Sequence, residues 1–209
     1  MPTPITVAAL FVARNGIYFG LPHVDPWDER RDARKYAGPY PVVAHPPCGP
    51  WGRFATGGTG SKVRKVVGDD GGTFESALAY VRAFGGVIEH PEGSHAWRRF
   101  GIVTPPRGGG WVHADSRGGW TCCVAQGNYG HRARKLTWLY FFGTVGAPPA
   151  LNWDLPVLRI PGTDEAPYED RRRMIRAGAA SRLSHRLRAA TPVPFRDLLL
   201  RLARLTRSR

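Results

Sequence analysis

The chain has 209 residues, enough for one sizeable core, and holds no apolar run of 18 residues, so it offers no candidate for a helical membrane span. Lysine and arginine number 30 against 16 acids, a net of +14, while three cysteines, two of them adjacent (Cys122 and Cys123), make no disulfide framework and point to a reducing compartment. From Arg171 to Arg209 there are twelve arginines, no lysine and one acid (Asp197), so +11 of that charge sits in one segment, a footprint that attracts polyanions such as double-stranded DNA.

The N-terminus has no basic lead-in before "ITVAALFVA" (5–13), so a buried strand is expected there and a signal peptide is not. The mixed charges of 25–38, closed by Gly-Pro, predict a short helix, and "YPVVAH" (40–45) a second buried strand ended by Pro46 and Pro47. A glycine-rich basic loop fills 55–72. The apolar spacing of 73–84 predicts a helix that stops at Gly85-Gly86, followed by a third strand, "GVIEH" (86–90), and a short helix over 93–101. After a loop at 104–119, residues 120–130 and 136–143 read as two strands joined through a basic turn, an antiparallel pair. Irregular proline-rich chain leads to two helices near 168–177 and 195–205. The expected fold is α/β, a Rossmann-like mostly parallel sheet with an antiparallel late hairpin, over 1–167, with a basic helical C-terminal extension at 168–209 packed on the same domain.

Three features combine around "PVVAHPPCGPWGRF" (41–54). Two prolines stiffen the turn after the second strand and set Cys48 at its carboxyl end, where open α/β sheets place their functional crevice. Glu89 stands at the carboxyl end of the next strand. Arg132 and Arg134 lie in the cationic turn "GHRARK" (130–135) between the late strands. In that order these features resemble the core of DNA cytosine-C5 methyltransferases, the short, divergent phage-type members in particular. That family has Pro-Cys, then Glu-Asn-Val, then Gln-x-Arg-x-Arg; here the positions read Pro47-Cys48, Glu89-His90-Pro91, and Gly130-His131-Arg132-Ala133-Arg134. The resemblance spans about residues 40–143.

The resemblance implies that Cys48 adds to C6 of a flipped cytosine, that Glu89 shares a proton with the base at its N3/N4 edge, and that Arg132 or Arg134 stabilises the developing charge. Either arginine serves equally well as a phosphate clamp. It also implies S-adenosylmethionine as cofactor, with candidate contacts at Phe11, Asn15, Gly16, Asp25, Asp28 and Pro46, and the cytoplasm of a bacterial host as the compartment. The family's opening Phe-x-Gly-x-Gly-Gly is reduced to Phe11-Val12-Ala13-Arg14-Asn15-Gly16, in which only the last glycine remains, and about forty residues separate the first strand from the Pro-Pro-Cys turn. A non-catalytic DNA-binding protein on a degenerate methyltransferase fold, or a base modifier using a different donor, is therefore the alternative reading. DNA contacts are expected from Arg53, Lys62, Arg64, Lys65, Lys135, Arg171, Arg172 and Arg173. No metal site is expected: His90-Pro91-Glu92 resembles the His-x-Glu of zinc deaminases but lacks their following Pro-Cys-x-x-Cys.

Overall fold

The computed structural model describes residues 5–53, 55–56, 65–144, 146–155, 173, 187 and 189–206. The short apolar runs form β1 (Val7–Leu10) and β3 (Val42–Ala44), every residue of which is buried, as strands covered on both faces must be. An outer strand, β2 (Val24–Trp27), pairs parallel with β1. It replaces the first part of the helix expected over 25–38; only Ala33–Lys35 winds, as one 3-10 turn. The physical reason is that this stretch has no apolar stripe at helical spacing, and Pro26 costs little on an edge strand.

Helix α1 (Thr73–Phe84) buries Phe74, Ala77, Leu78 and Val81, spaced as one helical face. Its start is satisfied by the Asp70 carboxylate, which accepts from the Phe74 amide and the Thr73 hydroxyl, both at 2.8 Å. It leads into β4 (Gly86–Pro91), parallel to β3. Gly86 has a φ of +126° there, and an added Cβ would lie 1.9 Å from the Val42 carbonyl oxygen, so the entry to β4 needs glycine.

After α2 (His95–Arg99) the chain forms β5 (Val112–His113), a short edge strand inside the expected loop, then β6 (Trp120–Ala125) and β7 (Leu136–Phe142). The strand expected over 120–130 stops at Ala125, and Gln126–Tyr129 is a 3-10 turn.

The seven strands form one mixed sheet in the order β2-β1-β3-β4-β7-β6-β5. Strands β2, β1, β3 and β4 are parallel; β7 runs against β4, and β6 against β7. One face packs on α1 and α2 through Leu10, Ala44, Ile88 and Tyr140. The other carries Ala9, Val43, Val87 and Phe141 under α3 (Val193–Arg204). Helix α3 buries Phe195, Leu198, Leu199, Leu202 and Ala203 at helical spacing, so this part of the basic C-terminal segment belongs to the core. The helix expected near 168–177 lies outside the described residues except Arg173. Among the described residues no helix is long and apolar enough to cross a membrane.

Candidate active site

Chain order reverses between β1 and β3: β2 lies to one side of β1, and β3 and β4 lie to the other. In open α/β sheets the crevice at such a switch point, at the carboxyl ends of the strands, is where ligands bind. Cys48 sits four residues past the end of β3, on the turn that Pro46 and Pro47 stiffen, and is exposed. Glu89 lies in β4, opposite Leu139 of β7. Because β6 ends and β7 begins at this same edge, with Ala125 opposite Leu136, the turn between them arrives beside Glu89. All three sequence features therefore meet on one edge of the sheet.

Glu89 is held from two sides. Its Oε2 lies 3.0 Å from His45 Nδ1, and its Oε1 accepts from Gln126 Nε2 at 3.0 Å. The other His45 nitrogen lies 2.8 Å from the Tyr18 hydroxyl, and Gln126 Nε2 also donates to Thr137 Oγ1 at 2.9 Å. Burial raises the Glu89 pKa, but the His45 hydrogen bond and the charges of His45, Lys135 and His90 outweigh it, so the carboxyl lies below its ordinary range. Although the residue is exposed at the surface, the protein packed around its sulfur, and then the Glu89 charge, push the Cys48 thiol up, against the pull of its own amide and of Lys135 and Lys65. Both shifts favour a neutral thiol at Cys48 and an ionised carboxylate at Glu89.

Lys135 is the cation set against both groups. Burial lowers its pKa, while the charges of Glu89 and Cys48 oppose that shift. Its Nζ also donates to the carbonyls of Ala189 (3.2 Å) and Ala190 (2.8 Å), which ties the site to the middle of the basic segment, just before α3. Arg132 is exposed on the turn and Arg134 half-buried. Lys65 is exposed, and an added Cβ on Gly49 would lie 2.4 Å from its Nζ, which places that ammonium over the Cys48–Gly49 turn. Arg53 is exposed and reaches Glu92 at 3.4 Å; Arg173 is exposed. Lys62, Arg64, Arg171 and Arg172 lie outside the described residues.

A cleft of about 330 Å³ opens at the switch point, lined by Phe11 and Val12 after β1, Asp28 after β2, Pro47, Thr73 and neighbouring residues. Two of the six cofactor candidates, Phe11 and Asp28, form its walls. Phe11 turns the chain at a φ of +57°, and Asp28, buried, accepts from the amides of Arg30 and Arg31. Asn15 adopts a left-handed conformation (φ +51°), which asparagine tolerates better than most residues, and Gly16 closes that turn with its amide on the Ala13 carbonyl at 2.9 Å. Asp25 is engaged by Trp27 and Arg31, and Pro46 is buried under the Cys48 turn.

Trp51, close behind the Cys48 turn, is buried against Phe74 and Phe100 and donates to Asp70, so it is a core residue. Tyr18 and Gln126 were not singled out by sequence. The only signal was for Gln126, a polar residue directly after the apolar strand "TCCVA". Comparison with protein-family models, with curated proteins and with solved structures gave no match.

Proposed function

We propose that this protein modifies cytosine in DNA by adding Cys48 to C6 of a base turned out of the duplex, as the resemblance implies. The observation that carries the reading is that the Cys48 turn, Glu89 and the turn holding Lys135, three separate motifs, come together at the carboxyl edge of one sheet. Cytosine C5 becomes nucleophilic only after a nucleophile adds at C6, and sulfur is suited to that addition. Glu89 faces the N3/N4 edge, and Lys135 joins Arg132 and Arg134 as a source of charge stabilisation. The exposed cations Arg53, Lys65 and Arg132 flank this edge and hold phosphates.

The cleft at the switch point has the size of a small-molecule site and a mixed wall of apolar and acidic groups that fits a nucleoside. Phe11, Val12 and Pro47 would hold S-adenosylmethionine by apolar contact and Asp28 by a hydroxyl group. When bound, that group supplies an electrophilic methyl.

The test is covalent capture of a random-sequence duplex carrying 5-fluorocytosine, with S-adenosylmethionine present, followed by mass spectrometry of the adduct. Attachment at Cys48, lost in Cys48→Ala, is the expected result. Attachment at Cys122 or Cys123 would sink the assignment. The reduction of the glycine motif to Gly16 favours a second reading, a DNA-binding protein without catalysis. DNA binding without capture, and without S-adenosylmethionine binding by calorimetry, would select it.

A further inference from the structure

We propose that Tyr18, His45 and Gln126 form a donor clamp on Glu89, which orients its carboxylate and keeps it ready to accept a proton when a base arrives. The inference rests on the roles given above to Cys48 and Glu89, and it adds Tyr18 and Gln126, which no motif supplied, to His45 of the Cys48 stretch.

The hydrogen bonds fix their own direction. The Thr137 hydroxyl donates to the Lys135 carbonyl at 3.2 Å, so it can only accept from Gln126. That turns the Gln126 amide nitrogen inward, and its second hydrogen goes to Glu89 Oε1. Gln126 is fully buried, so no water competes for this bond. On the other side Tyr18 is buried, and burial together with the Glu89 charge holds its hydroxyl protonated. An ionised carboxylate can only accept, so His45 Nδ1 carries the hydrogen facing Glu89 Oε2, and the Tyr18 hydroxyl, 2.8 Å from Nε2, holds the ring in that orientation. Each carboxylate oxygen therefore receives one oriented N–H, and donors to the charged form favour ionisation.

The other titratable or charged groups around this pair are Lys135 before β7, His90 of β4, and Lys65 near Cys48; Arg196 and Asp197 of α3 act on Tyr18. With Glu89 ionised, the addition balances within the site. The thiol proton passes to Glu89 as the sulfur pair forms the S–C6 bond. The C5=C6 pair moves to C4–C5, the C4=N3 pair moves to N3, and N3 takes the proton back from Glu89. The pair needs one proton between its two members: with two the thiol cannot be deprotonated, with none N3 cannot be served. Tyr18, His45 and Gln126 are positioning residues in this scheme, setting the pH at which the second proton arrives.

The experiment follows the Glu89 carboxyl by carbon NMR of protein labelled at glutamate Cδ, assigned by its loss in Glu89→Gln. Capture of 5-fluorocytosine DNA is measured in parallel between pH 5 and 8. In His45→Phe the Glu89 midpoint moves up, and capture at pH 5 relative to pH 8 falls by about tenfold more than in the native protein. Tyr18→Phe, which loses one hydroxyl and keeps the ring, moves both in the same direction by less. His45→Asn, which restores an N–H toward Glu89, returns the midpoint toward its native position. An unmoved midpoint in His45→Phe and Tyr18→Phe overturns the clamp, even if capture stands. Should His45→Phe fail to fold, Tyr18→Phe decides alone. A shifted midpoint in a protein that captures no DNA at any pH supports the clamp and overturns the enzyme reading instead.

Discussion

The two halves of the sheet contribute to the site in different ways. In the parallel half, β1, β3 and β4 are buried on both faces and end together, so each delivers one group at its carboxyl end: Phe11, the Cys48 turn, and Glu89. In the reversed half the strands pair antiparallel, and the site receives a turn, residues 126–135, rather than a strand end. The parallel half thus places the thiol and the carboxylate, and the reversed half brings Gln126 and Lys135 to them. A crossover connection spaces its strand ends rigidly, whereas a turn between paired strands can change its residues without disturbing the core.

The largest expected effect separates the halves by chemistry. Glu89→Gln keeps the shape of the parallel edge but removes the proton-carrying carboxyl, and capture should slow by roughly 10²–10⁴-fold with DNA affinity nearly unchanged. Equal loss of affinity and rate would instead make Glu89 a binding residue.

Next comes the shared support under both halves. Leu199 of α3 is fully buried against the sheet, and Leu199→Ala should lower unfolding free energy by about 2–5 kcal/mol in denaturant titration. A cost below 1 kcal/mol, on this scale of core truncations, would show that α3 docks only loosely.

The parallel half also carries an acid-sensitive group. His90 is buried against Phe74 and Trp97, with Nδ1 2.7 Å from the Ser94 hydroxyl, and burial lowers its pKa from 6.5 to about 4 against the pull of Glu89. The unfolded chain gains this proton first. The His90 contribution to stability is therefore constant above about pH 6.5 and falls as pH drops from there toward 4, by about 3 kcal/mol. Denaturant midpoints measured across that window should slope in the native protein and less so in His90→Gln. An equal slope in both would assign the acid sensitivity elsewhere.

The smallest effect sharpens the roles within the turn of the reversed half. Lys135→Met should cost rate more than affinity, because its ammonium faces Cys48 and Glu89. Arg132→Ala, at an exposed position, should weaken binding evenly across sequences and lower the salt slope by about 0.9. The reverse pattern would return the charge-stabilising role to the arginine.

The contrast between the halves also marks what was legible in the sequence. Uninterrupted apolar runs such as "VAAL" and "VVA", bounded by Gly and Pro, identify buried strands because no other short element needs to be apolar on every side. Helices α1 and α3 announce themselves by apolar residues at three- and four-residue spacing. The edge strand β2 was missed because an edge strand tolerates Pro26 and charge, so its composition matches that of a turn or short helix. The Cys48, Glu89 and 130–135 features could be found because each lies next to a strand end that could itself be read.

Residue types and local periodicity thus determined the strands, the helices and the three chemical motifs on their own, since those depend on neighbours a few positions away. Which cation faces the thiol, and which residues hold the carboxylate, was decided only by tertiary structure. Tyr18, His45, Glu89, Gln126 and Lys135 meet because β1, β3, β4 and β7 pair in one register, and that pairing brings together positions up to 117 residues apart, a separation over which sequence patterns carry no signal.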